Sequence, residues 1–246
     1  MKLATTLLLL SSAAFAQGPA PAQVRQGKAG APIDLTGYWV SVVTEDWRYR
    51  MLTPAKGDYA SVPLNPEGRK VADTWDPAKD EAAGNACKAY GAAGLTRQPG
   101  RIHITWDNDM ALKLDFDAGT QTRILNFNKP TPPASATWQG VSEAKWDLAP
   151  AAGRGPVDAM MRGGSLKAVT THLKAGYLRK NGVPYSENAT LTDYFSVTNE
   201  TNGDHWLIIT SVLEDPMYLT QPFITSTHFK KEPDGSKWSP SPCSTK

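Results

Sequence analysis

The chain has 246 residues, of which 40% are hydrophobic and 20% are charged, a composition typical of a globular protein rather than a disordered one. Lys and Arg number 26 against 24 Asp and Glu, so the sequence lacks the basic excess expected of a nucleic-acid-binding protein. The 19 prolines and 20 glycines fall largely between short β-rich runs, which excludes both a helical bundle and collagen.

Residues 1–16 carry the three parts of a secretory signal peptide. Lys2 supplies the positive start, residues 3–14 the apolar stretch, and Ala14-Phe15-Ala16 the small-residue cleavage site. The apolar stretch is too short to cross a membrane, and no later segment approaches the roughly 20 apolar residues that a transmembrane helix needs. We therefore expect a secreted or periplasmic protein without a transmembrane segment, in which residues 17–33 form a flexible linker.

The folded part is predicted over residues 34–232, as a succession of strands that is interrupted once by helices. A first strand covers residues 34–43, and Asn-Pro and Asp-Pro pairs are N-cap signals for a helical insert at about 65–90. Residues 149–164 are predicted as a long loop and residues 233–246 as a C-terminal tail. Alternating polar and apolar residues predict the other strands, at 101–106, 110–116, 120–127, 136–139, 142–148, 166–173, 189–197, 206–213 and 221–229.

A sheet of this length leaves two open edges unless it closes into a barrel or folds into a sandwich. The first strand contains Gly37-Tyr38-Trp39, and a Gly-x-Trp at that place resembles the signature of the lipocalins and the wider calycin group. The resemblance implies an antiparallel barrel in which the Trp closes one end, against a basic residue of a late strand. A second resemblance, through residues 176–186 and 214–223, is to uncharacterised secreted bacterial proteins and implies no particular activity. We therefore predict a mainly β fold, a single antiparallel meander closed into a lipocalin-like barrel with a short helical insert.

The cysteine and histidine patterns bear on disulfides, metals and cofactors. Cys87 and Cys243 form either one disulfide between the helical insert and the tail or two buried thiols, and both remain open. The four histidines lack the i, i+2 or i, i+4 spacing of metal ligands, and the sequence has no Gly-rich phosphate loop and no His-Glu-x-x-His. We expect no metal and no cofactor.

Five ionisable residues are candidates for acid–base chemistry inside the predicted barrel: His103, His228, Asp193, Arg123 and Glu45. His228 faces the interior if Ile224 marks the core face of its strand, and a strand histidine in a cavity has a pKa suited to a general base. Asp193 shares a strand face with large apolar residues, and Arg123 is its natural counter-ion. The alternatives are satisfied or solvent-facing histidines and a purely structural ion pair.

Two aromatic and basic segments are candidates for ligand contacts at the rim of the barrel. The first comprises Trp47, Arg48, Tyr49 and Arg50, and the second comprises Tyr177, Arg179 and Tyr185 around an Asn-Gly turn. Aromatic rings offer stacking surfaces, and arginines fix polar groups of a ligand. A solvated plug and an ordinary hairpin turn account equally for these patterns.

Three functions are compatible with these features. The first is that the barrel binds a small hydrophobic or aromatic molecule in its interior. The second is that the same cavity catalyses a cofactor-independent lyase, isomerase or hydratase reaction with the acid–base residues named above. The third is a structural envelope protein whose interior is packed and has no cavity.

Overall fold

The computed structural model describes residues 25–148 and 163–245. The predicted signal peptide and nearly all of the predicted 149–164 loop lie outside the described residues. The described strands are β1 (Gly37–Val42), β2 (Arg101–Asn108), β3 (Ala111–Phe116), β4 (Gln121–Asn126), β5 (Val141–Leu148), β6 (Gly164–Thr171), β7 (Gly176–Arg179), β8 (Val183–Tyr185), β9 (Thr190–Asn199), β10 (His205–Glu214) and β11 (Phe223–Glu232). The described helices are α1 (Trp47–Arg50), α2 (Pro66–Ala72), α3 (Pro77–Ala82) and α4 (Ala92–Leu95), with 3₁₀ turns at Lys28–Gly30 and Ala86–Tyr90.

Nine of these strands form a closed barrel in the order β1-β11-β10-β9-β6-β5-β4-β3-β2, in which β1 pairs with both β2 and β11. The mainly β barrel with a few short helices is therefore confirmed. An odd number of strands cannot alternate in direction all the way around a closed sheet, so one pair must run parallel. That pair is β4 with β5, joined only at Leu125–Ser142 and Asn126–Glu143. The barrel is antiparallel everywhere else.

The predicted strand at 136–139 is not formed. Only Thr137 makes an isolated bridge there, to Leu173. This segment crosses from β4 to the start of β5, and the crossing allows those two strands to run parallel. The helix starts were predicted correctly: the Asn65 side chain accepts a hydrogen bond from Gly68 N, and Asp76 accepts from Ala78 N and Lys79 N.

The barrel interior is filled by apolar side chains contributed by every strand of the barrel. Residues alternate between a buried inner face and a more exposed outer face, as in Phe223, Thr227 and Phe229 of β11. The inward side chains form one continuous apolar cluster that includes Trp39 and Phe195. Burying a side chain of this size stabilises the fold by roughly 1.5–3 kcal/mol.

Both ends of the barrel are covered. At one end, which we call the helical end, β1 finishes and β2 begins; the helical insert and the β7–β8 hairpin lie there and share a second apolar cluster. At the opposite end, Gly27 O accepts a hydrogen bond from Trp146 Nε1 at 2.7 Å, and Lys28 N donates to Asp109 O at 2.8 Å. Residues 25–33, which the sequence assigned to a flexible linker, are thus held against the barrel.

The C-terminal tail runs along the outside of the barrel back to the helical end. Ser241 N donates to Asp117 O at 2.9 Å, and Ser241 also forms a parallel bridge with Ala118. Beyond that bridge, Cys243 is bonded to Cys87 of the helical insert. Of the two possibilities open from the sequence, the structure has the disulfide.

Trp39, from the Gly-x-Trp of the first strand, lies inside the barrel. Its ring is fully buried, and its Nε1 donates to Leu35 O at 2.9 Å. Lys231 of the last strand lies over the ring, with Nζ 5.2 Å from the ring centroid. The expected contact between this Trp and a basic residue of a late strand is therefore present.

Candidate functional site

The predicted Arg123–Asp193 pair lies inside the barrel, and both side chains are fully buried. Arg123 Nη2 donates to Asp193 Oδ2 at 2.9 Å and to Thr170 Oγ1 at 3.2 Å. Ser211 Oγ donates to the other oxygen of Asp193 at 2.5 Å. Each carboxylate oxygen thus accepts a hydrogen bond, whereas Nε and Nη1 of Arg123 are buried without a hydrogen-bond partner among the described residues.

Tyr185 lies among the buried residues that cover the helical end of the barrel, and not at an exposed rim. Its ring is fully buried, and a Cβ added at Gly91 or Gly176 would lie only 2.2 or 2.6 Å from its hydroxyl oxygen. Burial raises the pKa of Tyr185. The surroundings of the Tyr185 hydroxyl are tightly packed, and it has no hydrogen-bond partner among the described residues.

The two candidate histidines face outward. Ile224, taken as a marker of the core face, is 61% exposed, so His228 on the same side of β11 lies outside the barrel and the interior placement was wrong. His228 Nδ1 is 3.4 Å from Glu45 Oε2, so a histidine and a carboxylate do meet, but both are on the outer surface. His103 stacks on Tyr38 on the outer face of β2 and β1, with ring centroids 3.9 Å apart.

Three more predicted ligand contacts do not meet in one site. Tyr177 donates its hydroxyl proton to Asp80 Oδ2 at 2.7 Å, and burial together with this bond raises the pKa of Tyr177. Arg48 is paired with Asp58 at 2.5 Å on the surface. The Trp47 side chain is largely exposed. Tyr177 is therefore bonded to the helical insert, whereas Trp47 and Arg48 lie on the exposed side of α1.

Three arginines converge at the helical end, where they line a pocket of about 10 Å³. Arg50 ends α1, Arg97 follows α4, and Arg179 ends β7, and none of them is more than 6% exposed. Tyr49 also lines the pocket, with Arg179 Cζ 4.1 Å from the centroid of its ring. We call this site the arginine pocket.

Hydrogen bonds and ion pairs fix the three guanidinium groups of the arginine pocket. Arg50 is paired with Glu45, and its Nε donates to Arg97 O at 3.0 Å. Arg97 Nη2 is paired with Asp46 Oδ2 at 3.0 Å. Arg179 Nη1 donates to a backbone carbonyl at 2.7 Å rather than to a carboxylate. These three guanidinium groups are therefore matched by only two carboxylates.

Several buried N–H groups of the arginine pocket have no hydrogen-bond partner among the described residues: Arg50 Nη2, Arg97 Nη1, and Nε and Nη2 of Arg179. Buried polar groups are almost always hydrogen-bonded, so unused donors on three neighbouring side chains are unusual. Burial, together with the nearby charge of Arg97, lowers the pKa of Arg179 from 12.5 to about 10. The pocket therefore has both the donors and the positive charge to accept an anion.

Sequence reasoning selected Arg50 and Arg179 but did not bring them together, and it missed Arg97. Arg50 and Arg179 lie on segments far apart in the chain that meet only when the β7–β8 hairpin covers the barrel end. Arg97 follows a four-residue helix and precedes a Pro-Gly turn, a context without any periodic signal. Only the folded arrangement identifies it.

Comparisons with known proteins add no family. A scan against models of protein families finds no match, and searches of curated proteins and of solved structures find no significant match. Within residues 25–148 and 163–245, no helix is long and apolar enough to cross a bilayer. In the same ranges, no group of three or more His, Cys, Asp or Glu side chains is arranged to hold a metal ion.

Proposed function

We propose that this protein is a lipocalin-like barrel that binds a small amphipathic anion at the arginine pocket. The ligand's oxyanion head lies between the guanidinium groups of Arg50, Arg97 and Arg179, and its apolar or aromatic body lies outside the pocket. One observation carries the proposal: three buried arginines line the same small pocket, and each has side-chain N–H groups without a hydrogen-bond partner among the described residues.

Charge and hydrogen bonding favour an oxyanion. An unpaired buried cation is costly, and an anion in the pocket would offset that cost while accepting from the unused donors. Glu45 and Asp46 are paired with Arg50 and Arg97, whereas Arg179 has no such ion pair among the described residues and Lys180 also lines the pocket, so the arginine pocket keeps an excess of positive charge. A monoanion such as a carboxylate matches that excess.

The size of the pocket separates the head of the ligand from its body. A volume of about 10 Å³ holds one group of roughly the size of a water molecule, such as one oxygen atom of the head, so the body of the ligand stays outside. Leu52 lines the pocket yet is 66% exposed, and Trp47 and Met51 beside it are also more than half exposed. Exposed apolar side chains grouped in this way are typical of a binding surface.

The sequence predicted a small hydrophobic or aromatic ligand in the interior of the barrel, and the proposal changes both the ligand, by adding an anionic head, and its place. Every strand of the barrel contributes side chains to one buried apolar cluster in the interior. The arginine pocket and its apolar border offer charge, donors and apolar surface together. We therefore place the ligand at the helical end rather than in the middle of the barrel.

The test compares decanoate with decanol, which has the same chain without the charge. Binding is followed by calorimetry and by the fluorescence of Trp47. We expect saturable binding of decanoate and at least about tenfold weaker binding of decanol, since a hydrogen bond to a charged group contributes roughly 1.5–3 kcal/mol. Arg179→Gln should weaken decanoate by a similar factor, whereas Arg69→Gln, on the exposed side of α2, should not. Equal affinities for decanoate and decanol would contradict the proposal.

Export to an oxidising compartment is part of the proposal. The disulfide between Cys87 and Cys243 is the kind of bond that persists in the periplasm or outside the cell. Mass spectrometry of protein purified from a secreting host should find an N-terminus at Gln17. Retention of residues 1–16 in that material would contradict export by a cleaved signal peptide.

A further inference from the structure

A second pocket, of about 260 Å³, lies outside the barrel between the sheet and the C-terminal tail. We call it the tail groove. Its floor is the outer face of β1 to β4, represented by Tyr38, His103, Asp115 and Thr122, and its wall is formed by Trp238 of the tail. It does not share a residue with the arginine pocket.

The floor of the tail groove is a single cross-strand row. Tyr38 pairs with His103, His103 with Asp115, and Asp115 with Thr122 in the registers of three successive strand pairs. The Tyr38 and His103 rings are stacked in parallel, and the Trp238 ring stands edge-on to both at about 6 Å. The row therefore changes from aromatic surface at β1 and β2 to hydrogen-bonding groups at β3 and β4.

The wall of the tail groove is fixed on both sides of Trp238. Before it, Gly235 passes so close to Tyr38 that an added Cβ would lie 2.6 Å from the ring. After it, Ser241 is hydrogen-bonded to Asp117 and Thr120, and Cys243 is in the disulfide. Because the floor and the wall of the tail groove are both held in place, the groove is preorganised, which lowers the entropic cost of binding.

The charged groups named around the tail groove are already paired. The Asp115 carboxylate is paired with Lys113 Nζ at 3.0 Å, and it accepts a hydrogen bond from Thr122 at 2.7 Å. Arg101 and Lys237, near the Tyr38 end, are both paired with Glu232. A charged ligand would need to compete with these pairs, whereas a neutral ligand leaves them intact.

We propose that the tail groove binds a neutral monosaccharide ring. One face of a pyranose ring carries C–H groups that stack on an aromatic ring, here Trp238. The hydroxyls at its edge donate to the free lone pairs of Asp115 and exchange hydrogen bonds with Thr122. The volume is slightly below the roughly 300–1,000 Å³ of sites for larger ligands, so it suits a single ring.

The experiment uses the full mature protein and ligand-observed NMR with glucose, galactose, mannose and N-acetylglucosamine. We expect saturable transfer to the ring C–H protons of at least one sugar, with Kd about 1 mM because the site is small and open. Trp238→Ala and Asp115→Asn should each weaken that binding by about tenfold. Trp206→Ala, which removes a partly exposed Trp on the outer face of β10, should leave it unchanged.

Two outcomes would overturn the sugar site. One is that none of the four sugars binds, or that binding survives both Trp238→Ala and Asp115→Asn. The other is that choline binds in preference to every sugar, which would assign the groove to a cation held by the aromatic rings and Asp115. Decanoate titrations of Trp238→Ala and Asp115→Asn test the two sites separately. Neither substitution is in the arginine pocket, so both variants should bind decanoate as the wild type does.

Discussion

Arg123 and Asp193 form a fully buried ion pair that crosses the interior of the barrel, with Nη2 and Oδ2 2.9 Å apart. Their strands, β4 and β9, are not neighbours, because β5 and β6 lie between them in the sheet. The pair therefore joins two strands that share no backbone hydrogen bonds with each other. Since desolvation opposes burying two charges, such a pair contributes more to fixing one arrangement than to net stability.

Replacing one partner of this ion pair should lower the free energy of unfolding more than replacing both partners. Asp193→Leu leaves Arg123 buried without a counter-ion and should lower the free energy of unfolding by about 3–5 kcal/mol. The double variant Arg123→Met with Asp193→Leu should recover a measurable part of that loss. Urea denaturation of the wild type, both single variants and the double variant tests this, and simple additivity of the single effects would contradict it.

The locations of the strands were largely predictable, because alternating burial leaves a period of two in the sequence. Met110 to Phe116 shows the pattern, and β3 covers most of it. The parallel β4–β5 pair was not predictable, since it follows from the number of strands that close the barrel. Alternation also misled at β11: Ile224 is a large apolar residue on the outer face, so the assumption that it marks the core reversed the orientation of His228.

The candidate sites were less predictable than the fold. The Arg123–Asp193 pair followed from single charges on apolar strand faces, which is a local pattern. The arginine pocket depends on three segments that meet only through the packing of short helices and a hairpin. Local sequence patterns do not predict such a meeting. The tail groove depends on where the disulfide positions Trp238, and the sequence left that pairing open.

Asp117 should give the protein a measurable dependence on acid pH. Burial raises the pKa of Asp117 above its usual value of 3.8, although it accepts a hydrogen bond from Arg101 N. Between the unfolded and the raised folded pKa, the folded state binds more protons than the unfolded state. The contribution of Asp117 to stability is therefore fully present below the unfolded pKa and is lost as pH rises through the folded pKa.

Asp117→Asn removes this dependence while keeping an acceptor for Arg101 N. Relative to the wild type, the variant should become progressively more stable as pH increases from about 3 to about 7. Denaturant unfolding of both proteins across that range measures the difference. Asp107→Asn, on an exposed residue near the β2–β3 turn, is the control, and the same trend in both variants would argue against a specific role for Asp117.

The disulfide should be a major source of stability for the tail and the helical insert. It closes a loop with a sequence separation of 156 residues, for which chain entropy predicts a contribution of about 5 kcal/mol. Cys87→Ser with Cys243→Ser should lower the free energy of unfolding by about 2–5 kcal/mol and leave the far-ultraviolet circular dichroism of the barrel unchanged. A loss below about 0.5 kcal/mol would show that the other contacts of the tail suffice.

The apolar border of the arginine pocket should appear in the dependence of affinity on chain length. For fatty acids from hexanoate to decanoate, each additional CH₂ that contacts Leu52 and Trp47 should improve the free energy of binding by up to about 0.8 kcal/mol. Leu52→Ser and Trp47→Ser remove part of that apolar surface, so both should reduce the gain per CH₂ while affecting hexanoate little. Met217→Ser, at an exposed apolar residue that does not line the pocket, should keep the wild-type gain. If the gain per CH₂ is the same in all four proteins, the chain of the ligand does not lie on this border, and the body of the ligand must be placed elsewhere.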